Sequence, residues 1–177
     1  MGKMYLMCGL SGVGKTTFSK DFIKKNPGII RLSIDDYYEV YRKGFGVEDP
    51  WSDPDISFRV WIQFFQEIHQ KERHGCDVII DTNAPTYVKR RQFIDWFPNF
   101  EEHNLIFIHA EPELCIKNNL ERSRTIPRDE MERMVLEFEL PGIVDVKNRI
   151  FISTEGCWDK IIPYYNNNNN FILLQER

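Results

Sequence analysis

The amino-acid sequence predicts an α/β fold, a mainly parallel sheet with helices on both faces. Three observations carry that expectation. Short apolar runs recur along the chain at Met4–Cys8, Ile29–Ile34, Val78–Ile80, Leu105–Ile108 and Ile150–Ile152. They show little polar alternation, as strands covered on both faces do. Longer stretches at helical spacing separate them, at about 15–25, 55–74, 86–97, 111–121, 128–139 and 155–165.

Each element has local support. The first helix carries Phe18, Phe22 and Ile23 on one face. Asp53 before Pro54 reads as an N-cap followed by proline at the first helical position. Phe58, Trp61, Phe65 and Ile68 then recur as a stripe whose ordinary use is core packing. Pro127, with Asp129 and Glu130 behind it, opens another helix and sets carboxylates at its positive end. Pro163 stops the last one. The polar run Asn166–Asn170 reads as an exposed turn, and Phe171–Leu174 as a final short strand. Neither an internal repeat nor a linker divides the chain, so one domain over 1–177 is expected.

Composition narrows the function classes. With 42% hydrophobic and 28% charged residues in 177, the chain is ordinary globular material. Its 27 acidic and 23 basic residues leave a net charge of −4, which argues against a generic electrostatic nucleic-acid binder but not against a local basic funnel. No apolar run reaches the roughly 18 residues of a membrane span. The N-terminus runs almost directly into a strand, with no signal peptide expected. Cys8, Cys76, Cys115 and Cys157 are scattered and read as reduced core thiols of a cytoplasmic protein. His69, His74, His103 and His109 lack partners at ligand spacing, so no metal-binding histidine is assigned.

The first strand runs into Gly9-Leu10-Ser11-Gly12-Val13-Gly14-Lys15-Thr16, which fits GxxxxGK[ST] at every defined position. Glycines let backbone amides turn inward as a nest for phosphate oxygens, and the helix that follows adds its unsatisfied donors. Lys15 reaches the outer phosphates as a point charge, and the Thr16 hydroxyl is placed for Mg²⁺. Gly9, Ser11, Gly12, Val13, Gly14, Lys15, Thr16 and Thr17 are therefore the expected nucleotide-binding residues.

Ligands of an open α/β sheet sit at the carboxyl ends of its strands. The second strand ends Ser33-Ile34-Asp35-Asp36. Asp35 is the candidate base for an attacking hydroxyl, with Asp36 as the alternative or as an N-cap. The third ends Asp81-Thr82-Asn83, where Asp81 suits magnesium or the acceptor and Thr82 lies beside it. The connector Glu121-Arg122-Ser123-Arg124-Thr125-Ile126-Pro127-Arg128 is a lid at about 122–128 whose Arg122 and Arg124 suit bidentate phosphate contact. Lys89-Arg90-Arg91 reads either as a guide for an anionic substrate or as a helix's wet face.

GLSGVGKTTFSKDFIKKNPG, then IDDYY, DTN and an ERSRTIP lid together resemble the 5′-hydroxyl polynucleotide kinase domain of phage-type end-healing enzymes. The likeness covers about residues 3–140 and extends past the loop through Phe22-Ile23-Lys24-Lys25-Asn26-Pro27-Gly28. Asn119-Leu120-Glu121-Arg122 through Phe138-Glu139-Leu140-Pro141-Gly142 is similar to the seryl-tRNA(Sec) kinases and the Elongator-linked tRNA-binding ATPases of the same superfamily of AAA-type P-loop kinase-like domains. The resemblance implies a three-layer P-loop NTPase fold, with a five-stranded sheet in 2-3-1-4-5 order and a helical lid. It implies ATP and Mg²⁺ as cofactors, a nucleoside triphosphate partner, and a DNA or RNA 5′ end as acceptor. By that resemblance Lys15, Asp35 and Arg122 would be catalytic, Thr16 would lie at the magnesium and Asp81 near the acceptor; the strand ends and the basic run add Asp81 as a metal candidate and Asp36, Thr82, Arg90 and Arg91 toward the acceptor. One departure is visible: the phage pattern has an arginine three residues after Asp35, and this chain has Tyr38. Two other activities stay open, a kinase for a small molecule, nucleoside or aminoacyl-tRNA, and an ATPase switch stimulated by tRNA or a partner.

Overall fold

The chain builds its sheet outward from β1 (Lys3–Cys8), which pairs in parallel with β3 (Val78–Asp81) on one side and β4 (Glu102–Ala110) on the other. β2 (Ile30–Ser33) lies beyond β3; β5 (Ile150–Glu155) and β6 (Phe171–Leu173) extend the other edge, giving the order β2-β3-β1-β4-β5-β6 with every pairing parallel. The first five follow the expected order, and the run at 171–174 supplies a sixth. The computed structural model describes residues 1–122, 124–142 and 148, and the backbone of 150–155 and 171–173. The helix expected over 155–165, Cys157, Pro163 and the asparagine run lie outside the described residues, except that Glu155 ends β5.

Alternation along the strands sorts the core into two layers. Met4, Leu6 and Cys8 of β1 face one side, with Val78, Ile80, Leu105 and Phe107. There they meet α2 (Ile34–Gly44), α3 (Pro54–Arg73) and α4 (Tyr87–Trp96) through Tyr38, Val60, Phe64, Ile68, Phe93 and Ile94. Met7, Ile79, Ile106 and Ile108 face the other side. Phe18 and Phe22 of α1 (Lys15–Lys25), Cys115 of α5 (Pro112–Leu120) and Met131 of α6 (Arg128–Glu137) cover them. β3 is buried at all four positions, which is why its sequence shows no alternation.

Two sequence expectations shift here. The inner stripe of α3 is Val60, Phe64, Ile68 and Glu72, while Phe58 is 68% exposed. Trp61 and Phe65 still pack against the core from its margin. The second strand stops at Ser33, which takes the N-cap position of α2, so Asp35 and Asp36 sit in a helix's first turn and Asp36 is not the cap. At the start of α3, the Asp53 side chain does cap, accepting from the Asp55 and Ile56 amides with Pro54 at the first helical position.

Candidate active site

The turn after β1 brings backbone close to backbone. A Cβ on Gly9 would lie 2.4 Å from the Ile108 carbonyl oxygen, and one on Gly12 would lie 2.2 Å from that of Cys115. Both have positive φ, 145° and 85°. The outer side of the loop is thus seated against β4 and α5, and only glycine fits there. Asn118 of α5 reinforces the seat by donating from Nδ2 to the Gly12 carbonyl at 3.0 Å. Gly14, left-handed at φ 95°, is the N-cap of α1. Its turn delivers Lys15, Thr16 and Thr17 to the head of the helix, with both threonines exposed.

Lys15 Nζ donates to the carbonyls of Gly9 and Leu10, each at 2.8 Å. Burial holds its amino group below the usual lysine range. The negative charge of Asp81 is the strongest opposing influence and that of Asp35 a weaker one, while the Arg122 guanidinium pushes the same way as burial. Glycine-lined amides, a helix N-terminus and this amine form a donor set that fits a triphosphate tail, and the Thr16 hydroxyl beside it suits the divalent cation that travels with one.

Asp81, at the end of β3, is 4% exposed, and its Oδ2 is heavily engaged. It accepts from Ser19 Oγ at 3.0 Å, from Arg31 Nη2 at 2.6 Å and from Arg31 Nε at 3.2 Å. Arg31 also reaches Asp36 Oδ2 through Nη1 at 2.8 Å and Ser19 Oγ through Nε at 2.9 Å. One guanidinium on β2 thus clamps the carboxylates of β3 and α2 together. Thr82 is buried beside Asp81.

Asp35 lies one residue before Asp36 on the same helical turn, and its Oδ1 accepts from the Trp51 indole at 3.2 Å. Tyr38, in the place of the phage-type arginine, is buried and stacks on Trp51. The connector between α5 and α6 supplies the remaining charges. Arg122 is exposed on the Lys15 side, whereas Arg124 sits over Trp51, its guanidinium carbon 4.2 Å from the ring centroid.

A phosphate loop follows β1 at the head of α1, acidic side chains stand in the first turn of α2 and at the end of β3, and an arginine-bearing connector follows α5. The family model for the AAA_33 AAA domain matches residues 4–141. The chain belongs to the AAA_33 family. Over 145 residues it is 28% identical to an L-seryl-tRNA(Sec) kinase of Methanococcus maripaludis, a match covering 78% of this chain and 53% of that protein. The chain thus spans about half the length of that curated relative. Among solved structures, a putative kinase from Chloroflexus aurantiacus superposes with a TM-score of 0.69 at 16% identity, covering 86% of this chain and 88% of that one. A chain of the Pnkp1/Rnl/Hen1 RNA repair complex superposes with a TM-score of 0.67 at 12% identity, covering 99% of this chain and 79% of its own. A gluconokinase from Sinorhizobium meliloti reaches 0.57 at 14% identity, covering 86% and 82%. This AAA_33 member is a kinase-like P-loop domain.

Two of the basic residues expected near the acceptor are used otherwise in this AAA_33 chain. Arg90 is fully buried, not on a wet face. Its Nη1 donates to the carbonyls of Ala84, Pro85 and Glu139, at 3.3, 2.9 and 2.9 Å. Arg91 pairs with Asp95 at 2.7 Å along α4. Ser19, Arg31, Trp51 and Asn118 had no place in the sequence reading. Arg31 did leave a signal, a cation inside an otherwise apolar run, since a charge in a covered strand demands a carboxylate. Trp51 left none. Among the described residues no helix is long and apolar enough to cross a membrane.

Proposed function

We propose that this chain is an ATP-dependent kinase that transfers the γ-phosphate to a hydroxyl, the 5′-OH of a polynucleotide being the first acceptor to test. One observation carries the reading: Arg124 of the connector lies over the Trp51 ring whose indole donates to Asp35, so the arginine-bearing connector meets the candidate base through one side chain. Mg·ATP supplies the phosphoryl group and the charge that must be neutralised. Asp35 accepts the proton of the incoming hydroxyl and keeps its oxygen in line. Lys15 and Arg122 offset the negative charge that spreads over the phosphoryl oxygens. Thr16 holds the cation, and Asp81, already bound to Arg31 and Ser19, fixes the edge of the sheet on which the acceptor rests.

The M. maripaludis relative supports a second acceptor, the seryl hydroxyl of a charged tRNA. Both acceptors are primary hydroxyls, one on a nucleic-acid end and one on an amino acid carried by tRNA, and both need the same base and lid. Incubation with labelled ATP and Mg²⁺ against 5′-OH DNA, 5′-OH RNA and seryl-tRNA separates them. Label on an oligonucleotide end supports the first and label on the aminoacyl group the second. Phosphate release stimulated by tRNA, with no labelled acceptor, replaces both with an ATPase switch.

A further inference from the structure

Trp51 lies in the connection between α2 and α3, outside every motif of the sequence. Its indole Nε1–H donates to Asp35 Oδ1 at 3.2 Å. Tyr38 stacks on the ring with centroids 5.3 Å apart and 23° between the planes. The Tyr38 hydroxyl lies 2.8 Å from Ser57 Oγ, which ties the stack to α3. Arg124 lies 4.2 Å from the same ring's centroid and Arg42 lies 5.9 Å from it. The indole is thus gripped by α2, by α3 through Tyr38, and by the connector after α5. Its single polar atom is spent on one oxygen of one carboxylate.

A carboxylate in a helix's first turn can rotate about two side-chain bonds, and a base that rotates loses alignment with its hydroxyl. A donor fixed on Oδ1 removes that freedom and leaves Oδ2 for the acceptor's proton. An indole suits the task because it donates without carrying charge and brings a large surface for its own anchoring. Arg124 supplies part of that anchoring as a cation on the ring.

We propose that Trp51 is a positioning residue for Asp35, held in register by Tyr38 and Arg124. The proposal rests on the reading of Asp35 as the base. It gives the two arginines of the connector different tasks: Arg122 acts by charge at the Lys15 end, and Arg124 acts by seating the indole.

The full chain labelled with ¹⁵N-tryptophan gives one indole N–H resonance from each of its four tryptophans, and Trp51→Phe identifies which belongs to Trp51. Asp35→Asn is expected to move that resonance, and Arg124→Ala to move it as well. In turnover with Mg·ATP and a 5′-OH oligonucleotide, Trp51→Phe keeps a ring for Tyr38 and Arg124 but has no N–H. It should lower kcat about ten- to a hundredfold and leave KM for ATP unchanged. A Trp51 resonance indifferent to Asp35→Asn overturns the proposal. So does Trp51→Phe at wild-type kcat, or a loss shared equally by kcat and ATP binding, which marks a merely structural role. Full turnover by Asp35→Asn overturns the reading of Asp35 instead, and if no oligonucleotide is phosphorylated the resonance experiment alone decides the Trp51–Asp35 contact.

Discussion

Asn119 holds Ile126 by both of its backbone groups: Nδ2 donates to the Ile126 carbonyl at 2.8 Å, and the Ile126 amide donates to Oδ1 at 3.1 Å. The asparagine is 1% exposed, and this pair of bonds closes the loop that carries Arg122 and Arg124. Only a side chain with adjacent donor and acceptor does this. Asn119→Ala leaves two buried backbone groups unpaired and should cost about 2–3 kcal/mol in urea unfolding. Asn119→Asp keeps the acceptor, loses the donor and should also destabilise.

Arg31 and Asp81, with 9% and 4% of their side chains exposed, form an ion pair that is costly to break from one side. Arg31→Met should destabilise the fold by about 3–5 kcal/mol, read by denaturant midpoint. Arg31→Lys keeps the charge without the fork and should lie between the two.

The loop's seat predicts a sharp effect of one methyl group. Gly12→Ala places that methyl against the Cys115 carbonyl at a left-handed φ. The loop must move, costing about 2–4 kcal/mol by thermal unfolding and weakening ATP binding in calorimetry.

Lys15 gives a pH dependence with a definite sign. Its amine titrates below its unfolded value of 10.5 because burial disfavours the charge. The unfolded chain therefore binds more protons through that window, and this group's contribution to stability rises with pH up to 10.5. Phosphate affinity runs the opposite way, being greatest with the amine charged and falling as pH rises through its depressed value. Calorimetry of Mg·ATP binding at alkaline pH, in buffers of different ionisation enthalpy, should show net proton uptake; uptake absent in wild type removes Lys15 from the phosphate site.

The sheet and the loop were legible because each follows from local chemistry. Buried strands must be apolar throughout, and a phosphate nest needs glycines at fixed spacing. Helix α2 was missed because Ile29–Ile34 reads as one apolar run, although its last residue already belongs to the helix. Arg90 was misread because an arginine among Lys89 and Arg91 looks solvated until three carbonyls converge on it. Trp51 was invisible because its partners Asp35, Tyr38 and Arg124 come from other elements, and the role of Asn119 was missed because no spacing rule encodes its paired bonds to the Ile126 backbone seven residues on.

The three-way clasp at Glu139 has a mechanical corollary. Its amide donates to the Pro85 carbonyl at 2.9 Å, its own carbonyl accepts from Arg90, and its carboxylate accepts from the Tyr87 amide. The far end of α6 is thereby riveted to the turn that follows Asp81 and Thr82. Any swing of α6 must pivot at this Glu139 end or drag that turn along, so a push on the Pro127 end at the arginine connector is handed to the turn through the helix itself, without passing through the sheet.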